Sequence, residues 1–162
     1  MRTRTVLAAF VLGLVSVGVA TAAAISTWTA SLSGAEEVAT VPVETAARGQ
    51  AVLQLSRDGS ALRYRLIVAN IENVTQAHIH MAPRGANGGV VAWLYPHGPP
   101  AQLIPGRSSG ILATGTITSA SLVGPLAGQP LGSLVDAIDD GNAYVNVHTA
   151  QYPAGEIRGQ VK

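Results

Sequence analysis

Hydrophobic and polar residues alternate with a period of two through most of this chain after about residue 25, and Gly and Pro break the alternation often. The pattern predicts strands over Ser26–Ser33, Gln50–Ser56, Leu62–Val68, Asn73–Met81, Gly89–Tyr95, Gly110–Thr118, Ala143–Thr149 and Glu156–Val161. Leu62–Val68 carries the signal most clearly: Leu62, Tyr64, Leu66 and Val68 share one face, and Arg63 and Arg65 the other. Arg57-Asp58-Gly59-Ser60 reads as a hairpin turn, because Asp-Gly supplies the positive φ values that a tight turn requires. Loops are predicted at Ala35–Arg48, laid over a sheet edge, at Ala82–Gly88, and at Pro96–Ser109, whose prolines oppose regular structure. One segment departs from the period of two. Leu131, Leu134, Val135 and Ile138 stand at helical spacing, and Gly141 is placed to stop a short helix near residues 131–139. Short strands in this number predict an all-β domain, a Greek-key sandwich or barrel of about seven or eight strands, without internal repeat or second domain.

The first two dozen residues differ in character. Arg2 and Arg4 precede an uncharged apolar run, Val6 to Ala20, and Ala20-Thr21-Ala22 and Ala22-Ala23-Ala24 both offer a small-x-small cleavage pattern. The run is shorter than the ~20 residues of a spanning helix, and small residues follow it rather than basic ones. Residues 1–24 are therefore expected to be a secretory signal cleaved after residue 22 or 24, which places the domain, residues 28–162, outside the cytoplasm. Nothing after residue 24 is apolar enough for long enough to span a membrane.

Without Arg2 and Arg4 the chain carries eight basic and nine acidic side chains, a formal charge of −1. A near-neutral domain with no run of Lys or Arg has no electrostatic footprint for nucleic acid. The chain has no Cys, so disulfides and thiolate metal ligands are excluded.

The histidines hold the candidate chemistry. His78 and His80 flank Ile79, so a strand puts both imidazoles on one face and Ala77 and Ile79 on the other. Tyr144, Asn146 and His148 likewise share a face opposite Val145 and Val147. With the apolar sets turned inward, the imidazoles emerge on the outer surface and meet if the two strands are neighbours. Three imidazoles without thiolates suit copper or zinc, and the Irving–Williams order favours Cu(II). His97, in the Pro-rich loop, is a fourth candidate ligand. Asn146 and Glu156 are candidates to orient the ligands from behind, and Arg158 shares the face of Glu156. No Gly-x-Ser-x-Gly elbow, nucleophilic Cys or phosphate-binding Gly-x-x-x-x-Gly-Lys occurs, so no enzymatic reaction is indicated by motif. Asn73-Val74-Thr75 matches a glycosylation sequon, and Asp136, Asp139 and Asp140 lack calcium-loop spacing.

Leu32-Ser33-Gly34-Ala35-Glu36-Glu37-Val38, Ala77-His78-Ile79-His80, Tyr144-Val145-Asn146-Val147-His148-Thr149 and Gly155-Glu156-Ile157-Arg158-Gly159-Gln160 occur in that order. Together, over about residues 28 to 161, they resemble the CHRD domain, first noticed in chordin and common in exported bacterial proteins. The resemblance implies a β-rich extracytoplasmic domain and carries no settled activity with it. The histidine strands are also similar to those of copper,zinc superoxide dismutases, with His78, His80 and His148 in the place of copper ligands and Arg158 loosely in that of an anion-guiding arginine. A zinc-binding His and Asp set, a bridging His and the disulfide of those enzymes have no counterpart here. Three expectations follow. The protein is an exported domain binding copper, with zinc as the alternative, through His78, His80 and His148; or it is a non-catalytic module that docks another extracytoplasmic protein; or it is a dismutase-like copper enzyme.

Overall fold

The computed structural model describes residues 25–162; the expected secretory signal, residues 1–24, lies outside them. Seven strands and one helix follow in order: β1 (Thr27–Ser33), β2 (Arg48–Leu55), β3 (Leu62–Met81), β4 (Gly89–Tyr95), β5 (Ile104–Ile117), α1 (Leu131–Asp139), β6 (Ala143–Thr149) and β7 (Ile157–Gln160). All pairings are antiparallel, and β1, β2, β3, β6 and β7 close on one another as a barrel. The expected all-β class is thus what forms, as a closed barrel with two added strands. β5 lies along the first part of β3 and β4 along its end.

The two strands expected at Leu62–Val68 and Asn73–Met81 are one strand of 20 residues. Asn70 and Asn73 interrupt the sequence pattern because they take left-handed backbone, at φ 55° and 53°, a conformation Asn tolerates better than most residues. The ladders slip between Val68 and Ile71, between Glu72 and Val74, and again between Val74 and Gln76. The consequence is a change of parity. Even-numbered Leu62, Tyr64, Leu66 and Val68 point into the core, whereas further along odd-numbered Ala77 and Ile79 do. Bulges of this kind exchange the two faces of a strand, and they turn His78 and His80 away from the core.

The Pro-rich stretch Pro96–Ser109 is only partly a loop, since β5 begins at Ile104. β5 pairs only with β3, so Pro105 can sit in an edge strand without depriving a second neighbour of a hydrogen bond. Arg107 reaches Glu72 through Nε and Nη2, and Asn73 Oδ1 accepts the Gly106 amide, which ties the irregular section down. The predicted turn at Asp58-Gly59 is present, with Gly59 at φ 71° and Asp58 Oδ1 accepting hydrogen bonds from Ser56 and Ser60. The helix buries Leu131, Leu134, Ala137 and Ile138 and is followed by Gly141 at φ 71°. Trp28 Nε1 donates to Asp139 Oδ1 and fastens the helix to β1.

The interior is filled by inward residues of all strands, including Leu32, Leu53, Leu66, Ile79, Val145 and Ile157. A fully buried Leu or Ile contributes roughly 1.5–3 kcal/mol relative to exposure, so a chain without disulfides rests on this cluster. The segment after β1 does not lie over a sheet edge as expected. It crosses the outer face of β6 and β7, where Asn146, Glu156, Asn87 and Tyr152 bond to residues between Glu37 and Thr45.

Candidate metal centre

Register places the polar face of the barrel in rows across β3, β6 and β7. His78 is opposite Asn146, and Asn146 opposite Arg158; His80 is opposite Tyr144, and Tyr144 opposite Gln160. His148 is opposite Gln76 and therefore diagonal to His78. These side chains point out of the barrel, as alternation requires, but they are not on the surface. His78 is 3% exposed, His148 7% and Arg158 2%, and His80 is half-buried, so the histidines expected on the outer surface are largely covered. Three pieces of chain roof them over: residues 82–88, the segment from Glu37, and the turn before β7. Alternation tells inside from outside of a sheet, and it is silent on what a loop covers afterwards.

The three imidazoles do converge. One nitrogen from each of His78, His80 and His148 lies within 4.8 Å of the others, and His78 Nδ1 is 3.2 Å from His148 Nε2. Two nitrogens bound to one ion at 2.0–2.1 Å stand about 3.3 Å apart in tetrahedral geometry and about 4 Å apart on opposite sides. The closest pair is already at the first spacing, and the widest, within 4.8 Å, must draw in by at most about 0.8 Å for opposite positions or about 1.5 Å for a tetrahedral ion.

Backbone carbonyls fix the rings. His80 Nδ1 donates to the Gly88 carbonyl at 3.0 Å, and His148 Nδ1 to the Pro153 carbonyl at 3.0 Å. A carbonyl only accepts, so Nδ1 carries the proton in both rings and Nε2 is left with a lone pair. His80 Nε2 is buried and has no hydrogen-bond partner, as is true of His78 Nε2 and Asn146 Oδ1. Such orphaned atoms are uncommon in native interiors. Burial also holds the imidazoles neutral: it pushes His78 down to about 3 and His148 to about 4, with their neighbouring histidines adding to the effect, and it lowers His80. Neutral imidazoles with free lone pairs are the form that ligates metal.

Around the trio the packing is aromatic. Trp93 of β4 meets His78 edge to face at 4.3 Å between ring centres, and Tyr144 stacks on His80 at 4.8 Å. Arg158 sets its guanidinium 3.5 Å from the Tyr144 ring centre.

The CHRD domain family model matches residues 28–161, which takes in every strand carrying these residues except the first residue of β1. The chain belongs to the CHRD domain family. No curated protein and no solved structure matches it.

Within this CHRD domain, the other residues singled out by sequence fall in different places. His97 is exposed and stands apart from the trio, its Nδ1 3.2 Å from the Tyr64 hydroxyl. Asn146 lies among the imidazoles but hydrogen-bonds none of them; its Nδ2 donates to Glu37 Oε1 at 2.7 Å. Glu156 accepts from the Thr45 and Thr149 hydroxyls, at 2.6 and 2.7 Å, and so pins two of the covering segments. The orienting of His80 and His148 expected from Asn146 and Glu156 comes from the Gly88 and Pro153 carbonyls instead. Arg158 donates to Ala86 O and Asn87 Oδ1, holding residues 86–88 where Gly88 meets His80.

Sequence reasoning missed four contributors. Gly88 and Pro153 act through main-chain oxygens, which no side-chain pattern reveals. Trp93 comes from a strand whose alternation gave no reason to single it out. Glu37 sits in a quoted family motif, yet nothing in its spacing indicated that burial would push its carboxyl up to about 7 against the opposing pull of Arg158 and Asn146.

Proposed function

We propose that this CHRD domain is an exported metal-binding module in which His78, His80 and His148 hold a copper ion, with zinc as the alternative occupant. The observation that carries the proposal is a buried lone pair held in place by a backbone carbonyl: the Gly88 carbonyl keeps the His80 proton on Nδ1, which leaves His80 Nε2 without a partner beside His78 and His148, whose Nδ1 and Nε2 stand 3.2 Å apart. A histidine kept only for packing gains nothing from leaving a nitrogen unpaired, which costs roughly 1–3 kcal/mol of desolvation. Imidazole donors without thiolates suit copper and zinc, and at equal availability Cu(II) binds more tightly. His78 and His148 are buried, so the trio offers little surface to a docking protein.

Isothermal titration of the metal-free protein with Cu(II) and with Zn(II) tests the proposal. The expected result is uptake near one ion per chain, lost in His80→Ala. Binding no tighter than about millimolar for both ions would overturn it, that being only about 4 kcal/mol.

A further inference from the structure

A second binding feature lies on a different face and uses none of the histidines. On the outer side of β2, β3 and β5, Arg63 and Arg65 lie in a groove of about 550 Å³ whose lining includes Gln54, Thr114 and Thr116. Register explains the grouping. Arg63 is opposite Gln54 on one side and Thr116 on the other, and Arg65 is opposite Val52 and Thr114. An adjoining hollow of about 400 Å³ shares Gln54 and Arg63 and adds Arg57 from the hairpin turn.

The use made of arginine elsewhere sets these three apart. Arg84 and Arg107 pair with Glu36 and Glu72, Arg48 donates to the Thr45 and Ala47 carbonyls, and Arg158 grips residues 86–87. Arg57, Arg63 and Arg65 have no ion pair among the described residues, and all three lie along the joined grooves. The one acidic neighbour, Asp58, has Oδ1 taken up by Ser56 and Ser60. In a domain whose formal charge is about −1 without its leader, this is a local concentration of positive charge beside neutral hydrogen-bonding side chains.

We propose that this groove binds an acidic polysaccharide, with Arg57, Arg63 and Arg65 meeting successive carboxylate or sulfate groups and Gln54, Thr114 and Thr116 meeting sugar hydroxyls. Arg63 and Arg65 are about 6.6 Å apart along the strand, a spacing that serves charges on a chain better than one small anion. Guanidinium forks bind carboxylate and sulfate oxygens in pairs. The alternatives fit less well. Single-stranded nucleic acid is held by exposed aromatic platforms, and the aromatic side chain lining this groove, Tyr64, is turned into the core. Anionic membranes call for clusters of about four to eight basic residues.

The test is binding of the full protein to immobilised heparin and polygalacturonate at low and rising salt, beside Arg63→Gln/Arg65→Gln and His80→Ala. Expected are retention that weakens with salt, a loss of about tenfold or more in the double variant with a salt slope smaller by roughly two, and no change in His80→Ala. Both substituted arginines are exposed, and circular dichroism should show the variant folded. Failure of both glycans to bind at low salt, or equal binding by the double variant, would overturn the proposal. Displacement of glycan by DNA at equal charge concentration would overturn the polysaccharide assignment. None of these outcomes bears on the imidazole cluster, which the metal titration tests separately.

Discussion

His78 Nδ1 and His148 Nε2 stand 3.2 Å apart, although 70 positions separate the two residues in sequence. The Pro153 carbonyl keeps the His148 proton on Nδ1, so in the metal-free protein His78 Nδ1 must be the donor of this contact. The same separation serves two ligands of one ion, but only after that proton has left the space between them.

Metal binding is therefore expected to switch the tautomer of His78. Nitrogen NMR of the imidazoles should show His78 protonated at Nδ1 without metal and at Nε2 with Zn(II), while His80 and His148 keep their Nδ1 protons throughout. An unchanged His78 tautomer in the zinc-loaded protein would exclude its Nδ1 as the ligating nitrogen.

Trp93 is placed to report occupancy. Its ring centre is 4.3 Å from that of His78, while Trp28 is engaged with Asp139 on the helix. Cu(II) should quench the fluorescence in proportion to uptake, and Trp93→Phe should lose most of the quenching while equilibrium dialysis still finds bound copper. Quenching that persists in Trp93→Phe would place the ion elsewhere.

Acid should destabilise the metal-free protein over a defined range. The folded pKa values of His78 and His148, about 3 and about 4, lie below the unfolded value of 6.5. The unfolded chain then binds protons first as pH falls, so stability is full above about 6.5 and declines as pH drops toward the folded values. Urea midpoints measured from pH 7.5 to 4 should fall, and fall less in a variant with His78 and His148 both replaced by Gln.

Gly88 has no room for a side chain: a Cβ there would lie 1.9 Å from the Met81 carbonyl oxygen. Gly88→Ala must displace the main chain that accepts from His80 and donates to the Tyr144 hydroxyl. Metal affinity should fall about 10- to 100-fold, as when other groups that orient a ligand are lost, with stability lower by roughly 1–3 kcal/mol. Calorimetry and thermal melts check the two effects separately.

Much of the barrel could be read from alternation because each strand turns one apolar face into the core. Leu62 to Val68 shows the pattern without a break, and Ala143–Thr149 has the predicted limits. The junction at Asn70 and Asn73 was illegible for a physical reason: left-handed residues shift the phase of the pattern while the hydrogen-bonded ladder continues. For the site, the His-x-His spacing and the partner strand sufficed to name His78, His80 and His148. Burial of the trio was not legible, since it depends on how residues 82–88 fold back, and that is decided by Arg158 and Gln160 bonding main-chain oxygens of that segment. Glu156, a candidate in the sequence for orienting the imidazoles, instead accepts hydrogen bonds from the hydroxyls of Thr45 and Thr149.

The exchange of faces along β3 works like a reading frame. Between Val68, which points inward on even numbering, and Ala77, which points inward on odd, an insertion or deletion of one residue would put the downstream strand out of phase. Ala77 and Ile79 would then face outward, and two imidazoles would be pressed into the hydrocarbon core. The stretch around Asn70 and Asn73 is partly exposed and contributes no ligand, yet its length in residues decides which side of the wall the histidines occupy. Changes of residue type there should be tolerated far better than changes of length.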